Sequence, residues 1–466
     1  MKLTTLTAAA LLTACAHRPV PAPAPPALPA AWLHAATQAP ADAATEDAPA
    51  WWRAYRESAL DAAVAHALAH QGDVAAALLK LRNADLRAEA AGAALRPVPS
   101  GSLSANASRP LSGNAQRTTR GVGTAFGTAW EIDLWGRLAA QADMALWERD
   151  ATALDADATA AALAASVVRQ YWQLGALGQR LAVGAQSLTY ARRTRDLTQT
   201  QYDAGAVSGL DLAQARQSVQ QQELALLTLR QQHTEMHHAL ALLLGLLPGD
   251  VPAAWLPEQL PPGAAERARV RPGLPADLLA RRPDVRAAET RLRASLANID
   301  AQRLTFYPAL SLTGSLGTSS TSLVNILSNP VAALGAGLTL PFLNLGELRR
   351  NPQIAQNDYE QAVIGFRQSL LRALGEVENA LSSLTTLRET AQRQAALVAE
   401  ARRIDALTEV RFRAGAIALR EWLITQESRR QAELAQVDAE LNLLLAQAQL
   451  HQALGTATGL AMAAPP

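Results

Sequence analysis

The stretch HTEMHH, residues 233–238, is where this chain comes nearest to a catalytic metal site. His233 and His237 sit four apart, a spacing that puts both imidazoles on one face of a helix as zinc ligands require. Glu235 follows His233 by two positions, whereas H-E-x-x-H needs it at one, so its carboxylate points to another face. His233 also falls in a seam of Leu226, Leu229, Met236, Leu240 and Leu243, which favours a packed or hydrated helix residue. The sequence leaves open whether His233 and His237 bind metal. His66 and His70 repeat the spacing without an evident third ligand. GVGTAFG, residues 121–127, misses the dinucleotide pattern and follows no strand-to-helix turn. Nothing stands as a nucleophile beside its base. The expectation is no catalytic residue, no cofactor, no metal and no enzyme activity.

A different chemistry is written at the N-terminus. MKLTTLTAAALLTAC has a positive start at Lys2, a short apolar run and small residues before Cys15, the layout of a secretory signal. The run is too short to span a bilayer. Cys15 is the only cysteine, which excludes an intrachain disulfide. Its context LTAC resembles the bacterial lipobox, where the signal is cleaved and the Cys acylated; the alternative is a stray Cys in a removed signal. Ala16 rather than Asp at the next position implies sorting to the outer membrane. The Pro-rich segment that follows reads as an extended tether with no core of its own.

Composition narrows the partners. The 466 residues carry a formal net charge of +1, and of 42 basic residues only Lys2 and Lys80 are lysine. No basic cluster with interleaved aromatics is present, so nucleic acid is not an expected partner.

Two further motifs concern shape. QYDAGAVSGLDL from Gln201 is echoed by RFRAGAIALREW from Arg411, and Gly205 and Gly415 are placed to end helices in the left-handed conformation and reverse the chain. Ser208 and Asp211 form an S-x-x-D cap for the returning helix. The echo belongs to a repeat of the whole chain. Each half begins with a helix, from Asp73 to Leu95 and from Asp284 to Phe306, opened by an Asp suited to capping. Each continues through two strand-like stretches and a long helical hairpin, broken at Gly205 or Gly415. The first limbs, Arg137 to Asp203 and Arg349 to Arg413, would each reach about 100 Å, too long for a compact soluble core. Apolar residues three and four apart, including Tyr171, Leu174, Gly178 and Leu181, indicate coiled-coil packing between neighbours.

The strands decide the solvent. From Val122 to Leu134 every second residue is bulky or β-branched (Val122, Thr124, Phe126, Thr128, Trp130, Ile132, Leu134), and those between are Gly, Ala, Glu or Asp. The second half repeats this with Leu310, Leu312 and Leu316, then Leu334, Leu338, Leu340 and Phe342. With no second sheet to cover it, the apolar face reads as lipid-facing and the small face as lumen. The alternative is a soluble two-sheet sandwich. Open edges cannot remain in hydrocarbon, and a closed membrane barrel needs at least about eight strands. One chain is too few; three would suffice.

The residues that carry the repeat also carry a resemblance. With LTAC, WEIDLWGR from Trp130, YDAGAVSGLD from Tyr202, RRPDVRAAE from Arg281 and LPFLNLGELR from Leu340, the chain resembles the TolC family of outer-membrane channels, in the lipoprotein branch similar to OprM and NodT. The resemblance covers nearly all of the mature chain. It implies a mixed α and β membrane protein, homotrimeric, with a twelve-stranded transmembrane β-barrel built from four strands per chain and continued by a periplasmic α-helical barrel. The expected layout is a signal at 1–14, a lipidated tether at 15–50, a first repeat at 51–245 (strands 100–108 and 121–134, hairpin 137–245) and a linker at 246–274. A second repeat then spans 275–455 (strands 309–320 and 331–343, hairpin 349–455), before a tail at 456–466. The implied function is the passive exit duct of a tripartite efflux pump, docked to a periplasmic adaptor and an inner-membrane transporter of the RND type. A type I secretion duct and a non-conducting envelope-bridging lipoprotein are the alternatives. The implied location is the outer membrane, anchored at Cys15 and extending into the periplasm. Tyr202, Gly205, Asp211, Phe412 and Gly415 become periplasmic tip and adaptor-docking residues. The gate departs from the family: Glu421 keeps one acidic position, Ile424 replaces another, and Arg420 stands where a gating Leu is found, so the expected aperture is held by Arg420 and Glu421 with Ile424 as plug.

Overall fold

The computed structural model describes residues 28–34, 50–109, 118–268, 275–321 and 330–455. Cys15, the signal and the tail 456–466 lie outside the described residues, with most of the tether and part of the linker. The main elements are α1 (Ser58–His70), α2 (Gly72–Ala93), β1 (Val98–Ser108), β2 (Thr119–Ile132), α3 (Arg137–Asp203), α4 (Gly209–Leu243), α5 (Pro283–Leu304), β3 (Ala309–Ser320), β4 (Pro330–Thr339), α6 (Leu345–Arg413) and α7 (Leu419–Ala453). The order helix, two strands, long hairpin occurs twice. The described residues fold as two units: a sheet unit, drawn from 86–148 and 289–367, and a helical unit, drawn from 29–85, 149–288 and 368–455.

In the sheet unit the strands pair antiparallel in the order β1-β2-β3-β4. The register aligns Gly101 with Phe126, Phe126 with Leu316, Trp130 with Leu312, and Leu310 with Leu338. Two strand ends differ from the sequence expectation. β2 stops at Ile132 because Asp133 turns to cap α3, accepting from Leu138 N at 3.0 Å and Ala139 N at 2.8 Å. β4 stops at Thr339, and a 3-10 turn begins at Pro341, which has no N–H for the ladder. Leu134, Leu340 and Phe342 therefore leave the alternation. Beside the sheet, Ile299 of α5 packs on Ala355 and Tyr359 of α6. Trp130 Nε1 donates to Leu95 O at 3.1 Å, and Trp135 Nε1 to Pro308 O at 2.8 Å.

The helical unit has a core in which Trp51, Trp52 and Tyr55, on a short 3-10 helix, pack against Tyr171 and Trp172 of α3 and residues of α7. Gly178 is not a seam residue as its spacing suggested. A Cβ there would lie 1.9 Å from Glu258 O, so the glycine is where the inter-repeat segment crosses α3. Arg192–Glu223 joins α3 to α4, Arg180–Asp438 joins α3 to α7, and Arg402–Glu433 joins α7 to α6. The lateral order is thus α4, α3, α7, α6. Leu210, Leu224 and Leu227 of α4 and Leu397, Ile404, Leu407 and Val410 of α6 are exposed. Among the described residues one helix, α3, is long and apolar enough by composition to cross a membrane, but half of its most apolar stretch is buried within the protein.

Of the two expected Asp caps, Asp73 is corrected and Asp284 holds through one bond, from Val285 N at 2.9 Å. Gln71 Oε1 accepts from Asp73 N at 2.5 Å and Val74 N at 3.3 Å, so Gln71 caps α2. Asp284, inside the first turn of α5, accepts the Val285 N–H through Oδ1 and also binds Arg282 through both oxygens, at 2.9 and 2.6 Å. Arg282, buried, also donates to Glu376 Oε2 at 2.7 Å and Ala453 O at 3.0 Å, joining the start of the second repeat to α6 and the end of α7.

Candidate channel wall and helical tip

Alternation makes the sheet two-faced. Leu103, Phe126, Trp130, Leu312, Leu316, Leu334 and Leu338 fall on one side of the register; Ser100, Ser102, Ser104, Asn106, Gly123, Gly127, Ser311, Thr313, Ser315, Gly335 and Gly337 fall on the other. Leu334 is 94% exposed and Phe126 71%. A face this apolar and this bare calls for a cover outside the single chain, because burying each such side chain would contribute about 1.5–3 kcal/mol. On the opposite face, Ser311 Oγ donates to Gly337 O at 3.3 Å and Thr313 Oγ1 to Gly335 O at 3.4 Å, laying hydroxyls flat against the neighbouring strand. Glu131, the carboxylate on this face, pairs with Arg137 at 2.6 Å.

The two helical turns are built alike. Gly205 (φ +74°) and Gly415 (φ +68°) are left-handed. Gly205 N donates to Tyr202 O at 2.9 Å and Ala206 N to Gln201 O at 2.8 Å; Gly415 N donates to Phe412 O and Ala416 N to Arg411 O, both at 2.9 Å. These are paired closures that satisfy the last carbonyls of each helix. Beyond the first turn a reciprocal cap forms: Ser208 Oγ accepts from Asp211 N at 3.3 Å, and Asp211 Oδ2 accepts from Ser208 N at 3.0 Å. The second turn has Ala418 in the capping place and no side-chain cap.

Tyr202, Gly205 and Gly415 are exposed, and Asp211 is half-buried in its cap. Phe412 is a correction. It is 4% exposed and stacked on Trp422, ring centroids 5.0 Å apart, in a cluster with Ala215 and Leu419. Its place is core, because the helix end that carries Gly415 turns Phe412 inward. Leu419 and Trp422 face the same cluster, whereas Arg420, Glu421 and Ile424 are exposed on the opposite side of α7. Among the described residues no ion pair joins Arg420 to Glu421 within the chain.

Against this geometry stand the known proteins. The family profile of the outer membrane efflux protein matches residues 63–246 and 274–456. The chain belongs to that family. It is 34% identical over 449 residues to the pyoverdine export outer membrane protein OpmQ of Pseudomonas putida, covering 93% of each chain. It is 32% identical to the outer membrane protein OprJ of Pseudomonas aeruginosa, over 70% of this chain and 68% of the other. The solved structure of the outer-membrane channel OprN superposes with a TM-score of 0.84 at 24% identity, over 94% of this chain and 98% of that one. The fold is that of outer-membrane channels, and the function is that of an outer-membrane efflux component.

Within this efflux protein the histidines occupy ordinary helix positions. His66 and His70 stack, centroids 4.3 Å apart, with His70 Nδ1 3.0 Å from His66 O. His233 is half-buried, and burial followed by repulsion from His237 pushes its pKa down. Among the described residues no group of three His, Cys, Asp or Glu is placed to hold a metal. One polar cluster escaped the sequence reading. Asp405 of α6 and Arg429 of α7 form a buried pair at 2.7 Å, Arg429 lies 4.4 Å over the Tyr190 ring, and Gln426 Nε2 donates to Thr194 Oγ1 of α3 at 3.2 Å. Burial pushes the Asp405 carboxyl up even though Arg429 pulls it down. An Asp and an Arg at inward positions of two long helices were the available signal, but their mutual distance is a tertiary fact.

Proposed function

We propose that three copies of this chain form a passive exit duct: a closed twelve-stranded barrel in the outer membrane whose helical hairpins dock a periplasmic adaptor and an inner-membrane RND transporter. One observation carries the reading: a sheet with its apolar face exposed and two free edges, β1 and β4. Strand direction alternates, so β4 of one copy meets β1 of the next antiparallel, and a ring of such contacts removes every edge. The exposed stripes on α4 and α6, the outer helices of the hairpin layer, support the same head-to-tail closure. The duct does no chemistry, and energy comes from the transporter. The export of pyoverdine named for OpmQ, carried over, makes small molecules the cargo class.

The reading includes cleavage and acylation at Cys15, which anchors the N-terminus to the outer membrane. It makes Tyr202, Gly205, Asp211 and Gly415 the adaptor-facing tip, and Arg420, Glu421 and Ile424 the aperture gate, the two charges paired between neighbouring copies. The test is single-channel recording of the purified full-length protein in planar bilayers, with cross-linking to count copies. Stepwise current from a trimer is expected. A folded trimer that inserts and carries no current would favour an envelope-bridging role, and a stable monomer would remove the barrel.

A further inference from the structure

The Pro-rich tether is not free along its whole length. Trp32 is 5% exposed, while its neighbour Leu33 is 86% exposed, so the segment lies against the protein with one side chain turned in. Glu378, on α6 in the same helical unit, receives the turn that follows. Its Oε1 accepts from Leu33 N at 2.7 Å, and its Oε2 accepts from His34 N at 3.3 Å with His34 Nδ1 at 3.0 Å. One carboxylate thus takes two successive backbone N–H groups and a ring nitrogen. Burial opposes ionisation of Glu378, but these bonds outweigh it and hold its carboxyl below the usual range.

We propose that residues 29–34 form a strap that fastens the N-terminal part of the chain to α6, with Glu378 as the clasp and Trp32 as the plug. The clasp stands on its own geometry; its role as the seat of a membrane anchor rests on the acylation of Cys15 proposed above. The consequence is one of reach. Trp51 and Trp52 are packed in the aromatic core, and from Cys15 to Trp51 an extended chain spans at most roughly 125 Å. With the strap fastened at Pro29, the span from Cys15 to the strap is at most roughly 50 Å. The strap thereby shortens the leash between lipid and helix more than twofold, and a pull on the N-terminus is borne by α6 before it reaches the aromatic core at Trp51.

Leu33 gives the experiment its probe, because its side chain points to solvent and only its backbone N–H is used. In the full-length trimer, Leu33→Cys carrying a nitroxide reports strap mobility, and Cys15→Ser supplies the same measurement without lipid. An immobile spectrum is expected in both backgrounds. Glu378→Ala and Trp32→Ala should each shift the seated-to-free ratio by at least about tenfold toward free, since charged hydrogen bonds and a buried indole are lost. Glu378→Gln, which keeps a neutral acceptor, should fall between. His34→Ala combined with Glu378→Ala should cost less than the two single losses together, because both remove the same bond. Helix content and the trimer band are the folding controls. A label already mobile in the parent, or unmoved by Glu378→Ala in a folded trimer, overturns the strap. Loss of lipid from Cys15 with an immobile label would overturn the anchor and leave the strap.

Discussion

At the scale of single residues, backbone conformation sets the cost of a substitution at one position and buried charge at another. Gly415 needs φ +68°, and a Cβ there would meet nothing within 4 Å, so Gly415→Ala carries a backbone cost alone. That cost is about 1–2 kcal/mol, expected as a lower midpoint in urea unfolding of the full chain, with Gly205→Ala behaving alike. An unchanged midpoint would mean that the turn relaxes. Two aspartates titrate in opposite senses. Burial opposes ionisation of Asp284, but hydrogen bonds and charge from Arg282 outweigh it and hold its carboxyl below the usual range. Its stabilisation is present above the unfolded Asp value and is lost as pH falls through the depressed folded one. Asp405 is pushed up, so the folded state binds its proton first and this group favours folding as pH falls toward the ordinary range. Asp284→Asn should flatten the acid-side loss of stability and Asp405→Asn should steepen it, measured as unfolding midpoint against pH; equal slopes in both variants would contradict the assignment.

At the scale of the element, the strand register says which substitutions the membrane will notice. Phe126→Arg puts a guanidinium on the exposed apolar face and should cost about 2–4 kcal/mol near the bilayer midplane, read as loss of inserted trimer. Ala129→Ser, on the other face, should insert normally. Gly123→Ser is a poor control, although alternation alone recommends it: a Cβ at Gly123 would lie 3.1 Å from Thr318 O. Equal tolerance at Phe126 and Ala129 would point to a sheet in water. The hairpin elements make a parallel case. Ile404→Glu on α6 or Leu227→Glu on α4 leaves the chain's own packing intact, since both are exposed, but charges the stripe offered to the next copy. Trimer yield should fall while helix content by circular dichroism is unchanged.

At the scale of the whole molecule, the proposed trimer turns one face of α7 into an aperture. Arg420, Glu421 and Ile424 share the side of α7 turned away from the Phe412–Trp422 core, and threefold symmetry would bring three copies of that side together. Three like carboxylates oppose closure unless Arg420 of a neighbour compensates them. Arg420→Ala and Glu421→Ala should each raise resting conductance and sensitivity to vancomycin, and the double variant should be less than additive. Wild-type conductance in all three would leave both as solvated residues, with Glu421 serving only the helix start.

Much of this is legible in the sequence. The glycine turns at Gly205 and Gly415 and the Ser208–Asp211 cap are local, set by φ and by groups three residues apart, and strand parity needs only a period of two. The long helices from Arg137 and to Arg413 follow from stretches rich in Ala, Leu, Gln and Arg that end at the left-handed Gly205 and Gly415, with Pro352 and the internal glycines carried inside them. What sequence could not reach depends on where separate elements meet. Phe412 looked like a surface tip residue and is core because Trp422 comes back to cover it; Gly178 looked like a seam position and is a crossing point for Glu258. The Asp405–Arg429 pair and the Glu378 clasp on the tether join groups far apart along the chain. Period and composition report what a residue prefers, whereas its partner is chosen by packing, and only the tertiary structure contains that choice.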